Sequence, residues 1–210
     1  MKVLVIGANG NTATRVVRLI KNETSHEPIA MIRNTTQRVK FDKLGVTTVL
    51  GDLEYPIDHA IMGCNAIIFA AGSGGQTGKD KTVLVDHIGA IRSMVTAQVH
   101  GVKRYVMLST INAEENSNSR IAYYHKAKAF ADRHLIDTNL DWTIVCPGGL
   151  RDEEGNGLVS VHSDLFLEGI TTRDNLAASL VSCIELPNTI GKRFSLIEGK
   201  TPIKEALLNV

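Results

Sequence analysis

Short runs of β-branched and other apolar residues alternate with helical segments along the whole chain. The runs cover residues 2–6, 28–33, 46–50, 66–70, 104–109, 142–146 and 193–197. The first, fourth, fifth and sixth are almost continuously apolar, which is typical of parallel strands that helices cover on both faces. The alternation therefore predicts an α/β fold in which right-handed crossovers connect a parallel sheet of about seven strands.

The segments between these runs carry helical patterns, at residues 12–22, 80–100, 119–137 and 172–186. In the second segment, apolar residues recur at the spacing that places them in one stripe on an ideal α-helix. The stripe consists of Val83, Leu84, Ile88, Ile91, Met94 and Val95. Such a stripe suits packing against the sheet, and it equally suits pairing with a second copy of the chain.

Length, composition and charge limit the possible domain organisation and the possible partners of the chain. Its 210 residues favour one domain, 1–210, whose last part, from about 147 to 210, forms a short C-terminal extension on the substrate side. A hydrophobic content of 43% is enough for a sizeable core and excludes intrinsic disorder. Lys and Arg total 23 against 22 for Asp and Glu, so no overall field favours nucleic acid or an anionic membrane as a partner.

Cysteine spacing and the first residues of the chain indicate the cellular compartment in which we expect the protein. Cys64, Cys146 and Cys183 are far apart and form no C-x-x-C pair, which argues against a disulfide framework and against a zinc site. The apolar opening ends at Gly7 and is too short for the core of a signal peptide. No stretch approaches the roughly 18 apolar residues that span a bilayer. We therefore expect a cytoplasmic protein with reduced thiols, no metal and no membrane partner.

The first apolar run leads directly into the sequence GANGNTA at residues 7–13, and a helical segment follows. Gly7 permits a tight turn, Gly10 lets a pyrophosphate approach the backbone, and Ala13 is small enough for the helix to pack near the strand. Free amide groups at the start of the helix bind the anion. The context predicts a dinucleotide-binding turn formed by Gly7, Asn9, Gly10, Asn11, Thr12 and Ala13. The alternative is an ordinary turn between a strand and a helix.

The end of the second run bears on the choice of cofactor. Enzymes that prefer NAD place an acidic residue there to hold the ribose 2′-hydroxyl, but no acidic residue occurs between Pro28 and Phe41. Instead, Arg33 and Arg38 flank two threonines, a set that suits a 2′-phosphate. We therefore expect NADP (NADPH) rather than NAD, unless Arg33 is only a solvated surface residue.

A candidate catalytic set follows the fifth run. Ser109 ends that run, and Tyr124 and Lys128 lie four residues apart in the next helical segment, hence on one face of the helix. A lysine ammonium beside a tyrosine stabilises the phenolate and lowers the tyrosine pKa, which makes a general acid available. Ser109, at the carboxyl end of a strand, would hold a carbonyl oxygen. The alternative is that Tyr124 packs in the fold and Lys128 is solvated.

These motifs together resemble those of the short-chain dehydrogenase/reductase superfamily. They are Gly7-x-x-Gly10-x-x-Ala13, Asp52-Leu53, Ala70-Ala71-Gly72, Ser109, Tyr124-x-x-x-Lys128 and Pro147-Gly148-Gly149. Residues 140–148 and 172–177 are similar to the atypical branch, which includes NmrA-like and flavin or biliverdin reductase-like proteins. The resemblance covers nearly the whole chain and implies a Rossmann-type doubly wound parallel sheet with NAD(P) bound.

The resemblance also implies roles for individual residues. Asp52 would contact the adenine with Leu53 beside it, and Ala70, Ala71 and Gly72 would line the adenosine ribose. Lys128 would bind the nicotinamide ribose, and Pro147 would border the nicotinamide. One position departs from the pattern: Cys146 stands where relatives commonly have arginine. The cysteine either changes the polarity of the pocket or is only a buried thiol.

The function that these features favour is an NADPH-dependent oxidoreductase acting on a small carbonyl, quinone or flavin-like acceptor. Two alternatives remain: a redox sensor that binds NADP(H), turns over no substrate and has a protein partner, and a small epimerase or isomerase. The short segment after Pro147 favours a small-molecule substrate. Both a monomer and a homodimer are compatible with the pattern.

Overall fold

The computed structural model describes residues 1–75, 77–116, 118–165 and 168–210. Phe166 and Leu167, within the expected C-terminal extension, lie outside the described residues. The strands are β1 (Lys2–Ile6), β2 (Glu27–Ile32), β3 (Thr47–Leu50), β4 (Ala66–Phe69), β5 (Arg104–Leu108), β6 (Asp141–Pro147), β7 (Gly149–Arg151), β8 (Leu158–His162), β9 (Ile170–Thr172), β10 (Lys192–Glu198) and β11 (Thr201–Pro202).

The α-helices are α1 (Asn11–Glu23), α2 (Arg38–Asp42), α3 (Asp58–Ile61), α4 (Lys79–Lys81), α5 (Ala90–Val99), α6 (Ala122–Ile136), α7 (Arg173–Glu185) and α8 (Ile203–Leu208). A π-helical stretch, Thr82–Gly89, joins α4 to α5, and single 3₁₀ turns occur at Thr35–Gln37 and Pro187–Thr189. In the described part of the chain no helix is long and apolar enough to cross a bilayer.

The main sheet has the strand order β11-β8-β10-β6-β5-β4-β1-β2-β3. From β3 to β10 all neighbouring strands in this order are parallel. In chain order, β2 and β3 are added on one side of β1. The chain then crosses to the other side of β1, where β4, β5 and β6 are added in turn. This reversal defines a doubly wound α/β sheet and leaves a crevice at the carboxyl ends of β1 and β4. The predicted Rossmann-type fold is confirmed.

The expected number of about seven strands is too small, because the sheet has nine strands within the described residues. All seven predicted strands are present, each shifted by at most one residue at either end. The additional strands are β8, antiparallel to β10, and β11, which pairs with β8 through two residues. They escape prediction because β8 is only partly buried and lacks the continuous apolar run of the central strands.

Successive residues of β1 point to opposite faces of the sheet and enter two separate cores. Val3 and Val5 pack with residues of α1, α2 and α7. Leu4 and Ile6 pack with residues of α3, α5 and α6 on the other face. Because β1 is covered on both sides, every one of its positions after Lys2 can be apolar.

The predicted apolar stripe of segment 80–100 is wrong in part. Val83, Ile88 and Val95 are exposed, whereas the π-helical stretch buries Val85, Asp86 and Gly89. A π-helix bonds residue i to i+5, so it rotates the buried face relative to the 3.6-residue period on which the prediction relied. The consequence for the site is that a carboxylate, Asp86, points into the protein.

Candidate functional site

The turn between β1 and α1 has the geometry that its glycines predict. Gly7 has a φ of +80°, in the left-handed region that side chains disfavour. A Cβ atom on Gly7 would lie 2.6 Å from the Cα of Ala71, which follows β4. The amide of Gly10 donates to the carbonyl of Gly7 at 2.9 Å and closes the turn. Glycine at position 7 is therefore required both by the backbone angle and by the close approach of two strand ends.

The start of α1 offers free backbone donors. The amide of Thr14 makes the first hydrogen bond of the helix, to the carbonyl of Gly10 at 2.9 Å, so the amides of Asn11, Thr12 and Ala13 precede the helical ladder. The first turn of α1 contains no acidic residue that would neutralise the positive end of the helix dipole. This is an arrangement that binds the phosphate groups of a dinucleotide.

A cleft of about 250 Å³ opens at the carboxyl ends of β1 to β4, and we call it the glycine-turn cleft. Nine of the predicted cofactor residues line it: Gly7, Asn9, Gly10, Arg33, Asp52, Leu53, Ala70, Ala71 and Gly72. Met31, Gln37, Gly51, Ser73 and Val85 complete the lining. Thus three sequence regions that the resemblance selected come together with Arg33 at one place, and Thr12 and Ala13 are buried.

The cationic side chains near this cleft differ from the expected pair. Arg33 is exposed and lines the cleft, but Arg38 is not among its lining residues. Sequence reasoning missed Lys40. Its Nζ donates to Thr14 Oγ1 at 2.6 Å and lies 3.4 Å from the carbonyl oxygen of Asn9. Burial, together with the positive charge of Arg18, lowers the pKa of Lys40.

The predicted catalytic residues lie beyond β5, where Ser109 and Lys128 are buried, each 2% exposed. Lys128 Nζ donates to the carbonyl of Leu108 at 3.2 Å and lies 5.8 Å from the ring centres of both Phe69 and Tyr124. Burial acts to lower the pKa of Lys128, but the negative groups around it raise it overall. Lys128 is therefore a fixed, charged group next to Tyr124.

Tyr124 stays protonated over the neutral range. Burial raises the pKa of its phenol, and the ammonium of Lys128 offsets only part of this effect. The expected lowering of the Tyr124 pKa toward neutrality is thus opposed by burial. A phenol that keeps its proton suits the role of proton donor better than that of base.

Two carboxylates that sequence reasoning missed flank this pair, and both are 0% exposed. Asp86 Oδ1 lies 3.5 Å from Lys128 Nζ, and Asp86 Oδ2 accepts from the amide of Ser73 at 2.9 Å. On the other side, Ser109 Oγ donates to Asp132 Oδ2 at 2.7 Å. We call the set Asp86, Ser109, Lys128, Asp132 and Arg193 the inner polar cluster.

Arg193 of β10 is the partner of Asp132, with Nη2 3.0 Å from Oδ2. The same guanidinium donates to the carbonyl of Ala113 at 3.1 Å. Burial raises the pKa of Asp132 to about 6, although Arg193 and Ser109 act in the opposite direction. Asp132 is therefore charged at neutral pH and protonated in mild acid.

The two other predicted residues of this region, Cys146 and Pro147, end β6. Burial raises the pKa of the Cys146 thiol to about 12, so it is inert as a nucleophile at neutral pH. The carbonyl of Pro147 accepts from the amide of Ile111 at 3.1 Å. Neither Pro147 nor Lys128 lines the glycine-turn cleft; they lie further along the same edge of the sheet.

A model of the NAD(P)H-binding family matches residues 7–187. The chain belongs to this family. Over 212 residues it is 43% identical to the uncharacterized sugar epimerase YhfK of Bacillus subtilis, covering 99% of each chain. It superimposes with a TM-score of 0.95 on a candidate NAD-dependent epimerase/dehydratase from Bacillus halodurans, at 37% identity and full coverage of both chains.

A second solved structure, the oxidoreductase ylbE from Lactococcus lactis, has a TM-score of 0.87 and 29% identity. The alignment covers all of this chain and 96% of the ylbE chain. Membership of the NAD(P)H-binding family confirms the resemblance to the atypical short-chain dehydrogenase/reductases and supports a nicotinamide dinucleotide as the cofactor. The preference for NADP stays a prediction.

The missed members of the inner polar cluster carried signals in the sequence. Asp132 follows Lys128 by four residues, as Lys128 follows Tyr124, so all three lie on one face of α6. Asp86 is a single acidic residue within an apolar run, which is costly unless it is paired. In contrast, nothing local indicates that Arg193, sixty-one residues after Asp132, would be its partner.

Proposed function

We propose that the protein transfers hydride between NADPH and a small carbonyl, quinone or flavin-like acceptor. The observation that carries this proposal is the position of Ser109, Tyr124 and Lys128 on the same sheet edge as the glycine-turn cleft. The cleft offers a site for the adenosine half of a dinucleotide, and the inner polar cluster lies further along the edge, toward the expected position of the reacting half. When bound, the nicotinamide supplies or accepts the hydride.

The residues present fit such a cofactor. The free amides of Asn11, Thr12 and Ala13 would hold the pyrophosphate, and the backbone of Gly7 leaves no side chain in its path. Arg33 and Lys40 would hold a 2′-phosphate, since Arg33 lines the cleft and Lys40 reaches Asn9 on the same turn. These two cations support a preference for NADP over NAD. The cytoplasmic location and the single-domain organisation stay predictions.

Tyr124 and Lys128 of the catalytic set have distinct proposed roles. Tyr124, which keeps its proton because burial raises the pKa of its phenol, donates that proton to the product oxygen. Lys128, held by Asp86 and by the carbonyl of Leu108, fixes the position of Tyr124 and would bind the nicotinamide ribose. Because Asp86 already neutralises part of the lysine charge, Lys128 stabilises a phenolate less than a free ammonium would.

Ser109 favours a second candidate function, an epimerase acting on a hydroxyl-bearing substrate. A serine hydroxyl has one proton, and Ser109 uses it to donate a hydrogen bond to Asp132. The oxygen then offers only lone pairs to a ligand, which suits a substrate O–H better than a carbonyl oxygen. The Bacillus subtilis and Bacillus halodurans relatives carry epimerase names. In an epimerase the hydride returns to the substrate, so NADPH is not consumed.

The test is NADPH consumption by the purified protein with quinones, flavins, aldehydes and ketones, with binding of NADPH measured separately. Tyr124→Phe removes only the proposed acid, and we expect it to lower turnover by roughly 10²-fold with little change in NADPH affinity. Tyr123→Phe is the matched control, because Tyr123 is an exposed neighbour on the same helix.

Full activity of Tyr124→Phe on a carbonyl substrate contradicts the role of Tyr124. Tight NADPH binding with no acceptor turned over by either protein contradicts the oxidoreductase proposal and favours the sensor. A pull-down with and without NADPH then tests the sensor, which should change partners with the redox state of the cofactor.

A further inference from the structure

A second cavity, of about 610 Å³, lies between α1 and α2 of the cofactor-binding part and α7 and α8 of the C-terminal part. We call it the α1–α7 cavity. Among its lining residues Arg15, Arg18, Lys40 and Asp174 are charged. It is separate from the glycine-turn cleft, since the two share no lining residue. The proposed reaction does not use this space, and of the residues proposed above to hold the cofactor only Asn11 and Lys40 also line it.

Arg15 forms a rigid, neutralised part of the wall. Its Nε lies 2.6 Å from Asp174 Oδ1, its Nη2 lies 3.3 Å from Asp152 Oδ1, and its Nη1 donates to the carbonyl of Asn11 at 3.0 Å. Arg15 therefore ties α1 to the start of α7 and to the loop between β7 and β8. Because two carboxylates balance the charge of Arg15, this residue shapes the cavity but does not determine the net charge of the cavity.

Arg18 and Lys40 carry positive charge that no carboxylate in the described part of the chain balances by a salt bridge. The Nζ of Lys40 is bound to a hydroxyl, Thr14 Oγ1, and not to an acid. The pKa of Lys40 is lowered by burial and by the nearby charge of Arg18, which shows that the two cations oppose each other. An anion between them would relieve this repulsion. Two uncompensated cations match a ligand that carries two negative charges.

The remaining wall is apolar or hydrogen bonding. Leu19, Ala178 and Ile203 supply carbon surface, and Asn11 at the start of α1 supplies an amide. A bare inorganic ion would leave most of this volume unused. The lining instead suits an organic molecule with a dianionic head group. A phosphomonoester carries nearly two charges at neutral pH, and arginine and lysine are its usual protein partners.

We propose that the α1–α7 cavity is a binding site for a small phosphomonoester, of about the size of a sugar phosphate, held by Arg18 and Lys40. Such a site is independent of hydride transfer and does not rest on the proposed function. Lys40 also reaches Asn9 of the glycine turn, with 3.4 Å between Nζ and the carbonyl oxygen. The same cation therefore also lies within reach of a second source of phosphate, the 2′-phosphate of NADP.

The experiment is isothermal titration of the full-length protein with ribose 5-phosphate, with ribose as its uncharged counterpart. We expect ribose 5-phosphate to bind and ribose not to bind. Arg18→Gln removes one of the two cations and should weaken binding of ribose 5-phosphate about tenfold, while Arg18→Lys should retain part of it. Lys21→Gln is the control, because it removes an exposed cation from the same helix outside the cavity.

Three outcomes overturn the proposal. The first is no binding of ribose 5-phosphate by the unmodified protein, and the second is equal binding by the Arg18→Gln and Lys21→Gln variants. The third comes from repeating the titration with saturating NADPH or NADH: if NADPH abolishes binding and NADH does not, the cations serve the 2′-phosphate of the cofactor. Binding that persists with both dinucleotides and depends on Arg18 supports a separate site.

Discussion

Replacing Asp132 by asparagine tests the electrostatics of the inner polar cluster. Burial raises the pKa of Asp132 to about 6, from a value of 3.8 in an ordinary aspartate. The folded protein therefore binds a proton at this position more readily than the unfolded chain does. The stabilisation of the folded state by proton binding at Asp132 is fully present below pH 4 and is lost as the pH rises through 6.

The size of the effect follows from these two values. Between pH 4.5 and pH 7, the ionisation of Asp132 should lower the free energy of unfolding by about 2 kcal/mol. Asp132→Asn lacks this ionisation, and its amide oxygen can still accept from Ser109 and Arg193. Across this pH range we therefore expect the unmodified protein to lose about 2 kcal/mol relative to the variant. The other titratable groups are the same in both proteins, so their contribution cancels in the difference.

The assay is urea unfolding followed by the fluorescence of Trp142, at steps from pH 4.5 to pH 7. Asp58→Asn is the control, because the hydrogen bond from His100 lowers the pKa of Asp58 from 3.8, so Asp58 stays ionised from pH 4.5 to pH 7 and should show no comparable change. Stability from Asp58 is present above its unfolded pKa and is lost as the pH falls. A stability difference between the unmodified protein and Asp132→Asn that does not change with pH would refute the assigned burial and charge of Asp132.

Three further predictions concern the cofactor and the reaction. Tyr124→Phe should lower turnover by roughly 10²-fold without loss of NADPH binding, as measured by steady-state kinetics and calorimetry. Arg33→Gln should weaken NADPH about tenfold and leave NADH unchanged, whereas Arg38→Gln should change neither; an unaltered ratio for Arg33→Gln would exclude its role. Gly7→Ala should cost about 1–3 kcal/mol in urea unfolding and abolish dinucleotide binding, because its φ is +80° and its Cβ would meet Ala71.

The central strands could be predicted from sequence because helices cover them on both faces. Complete burial leaves a continuous apolar run such as Val3–Ile6, and such a run is visible without any knowledge of its neighbours. Strand β8, which lies between β10 and the short edge strand β11, has no such signature, since only Val159 of its five residues is fully buried. The π-helical stretch could not be predicted because it departs from the period on which helix recognition depends.

The parts of the candidate site also differ in how far they could be predicted from sequence. The glycine turn is a local structure, so Gly7, Gly10 and the start of α1 could be assigned from seven consecutive residues. The inner polar cluster depends on contacts between distant elements. Lys128 was found by its spacing from Tyr124, but its partner Asp86 comes from a different helix, forty-two residues earlier. Such pairings are set by the packing of elements, which no local pattern records.

Hydride transfer is tested most directly by NADPH that carries deuterium at C4 of the nicotinamide. Each of the two stereospecifically labelled forms is incubated with the purified protein and an aldehyde or ketone acceptor, whose carbonyl carbon keeps the transferred deuterium, and the mass of the isolated product is measured. We expect one form to pass its deuterium to the product, which also identifies the face of transfer, and Tyr124→Phe to slow this transfer. An unlabelled product from both forms, or NADPH that binds and is never oxidised, would contradict the account.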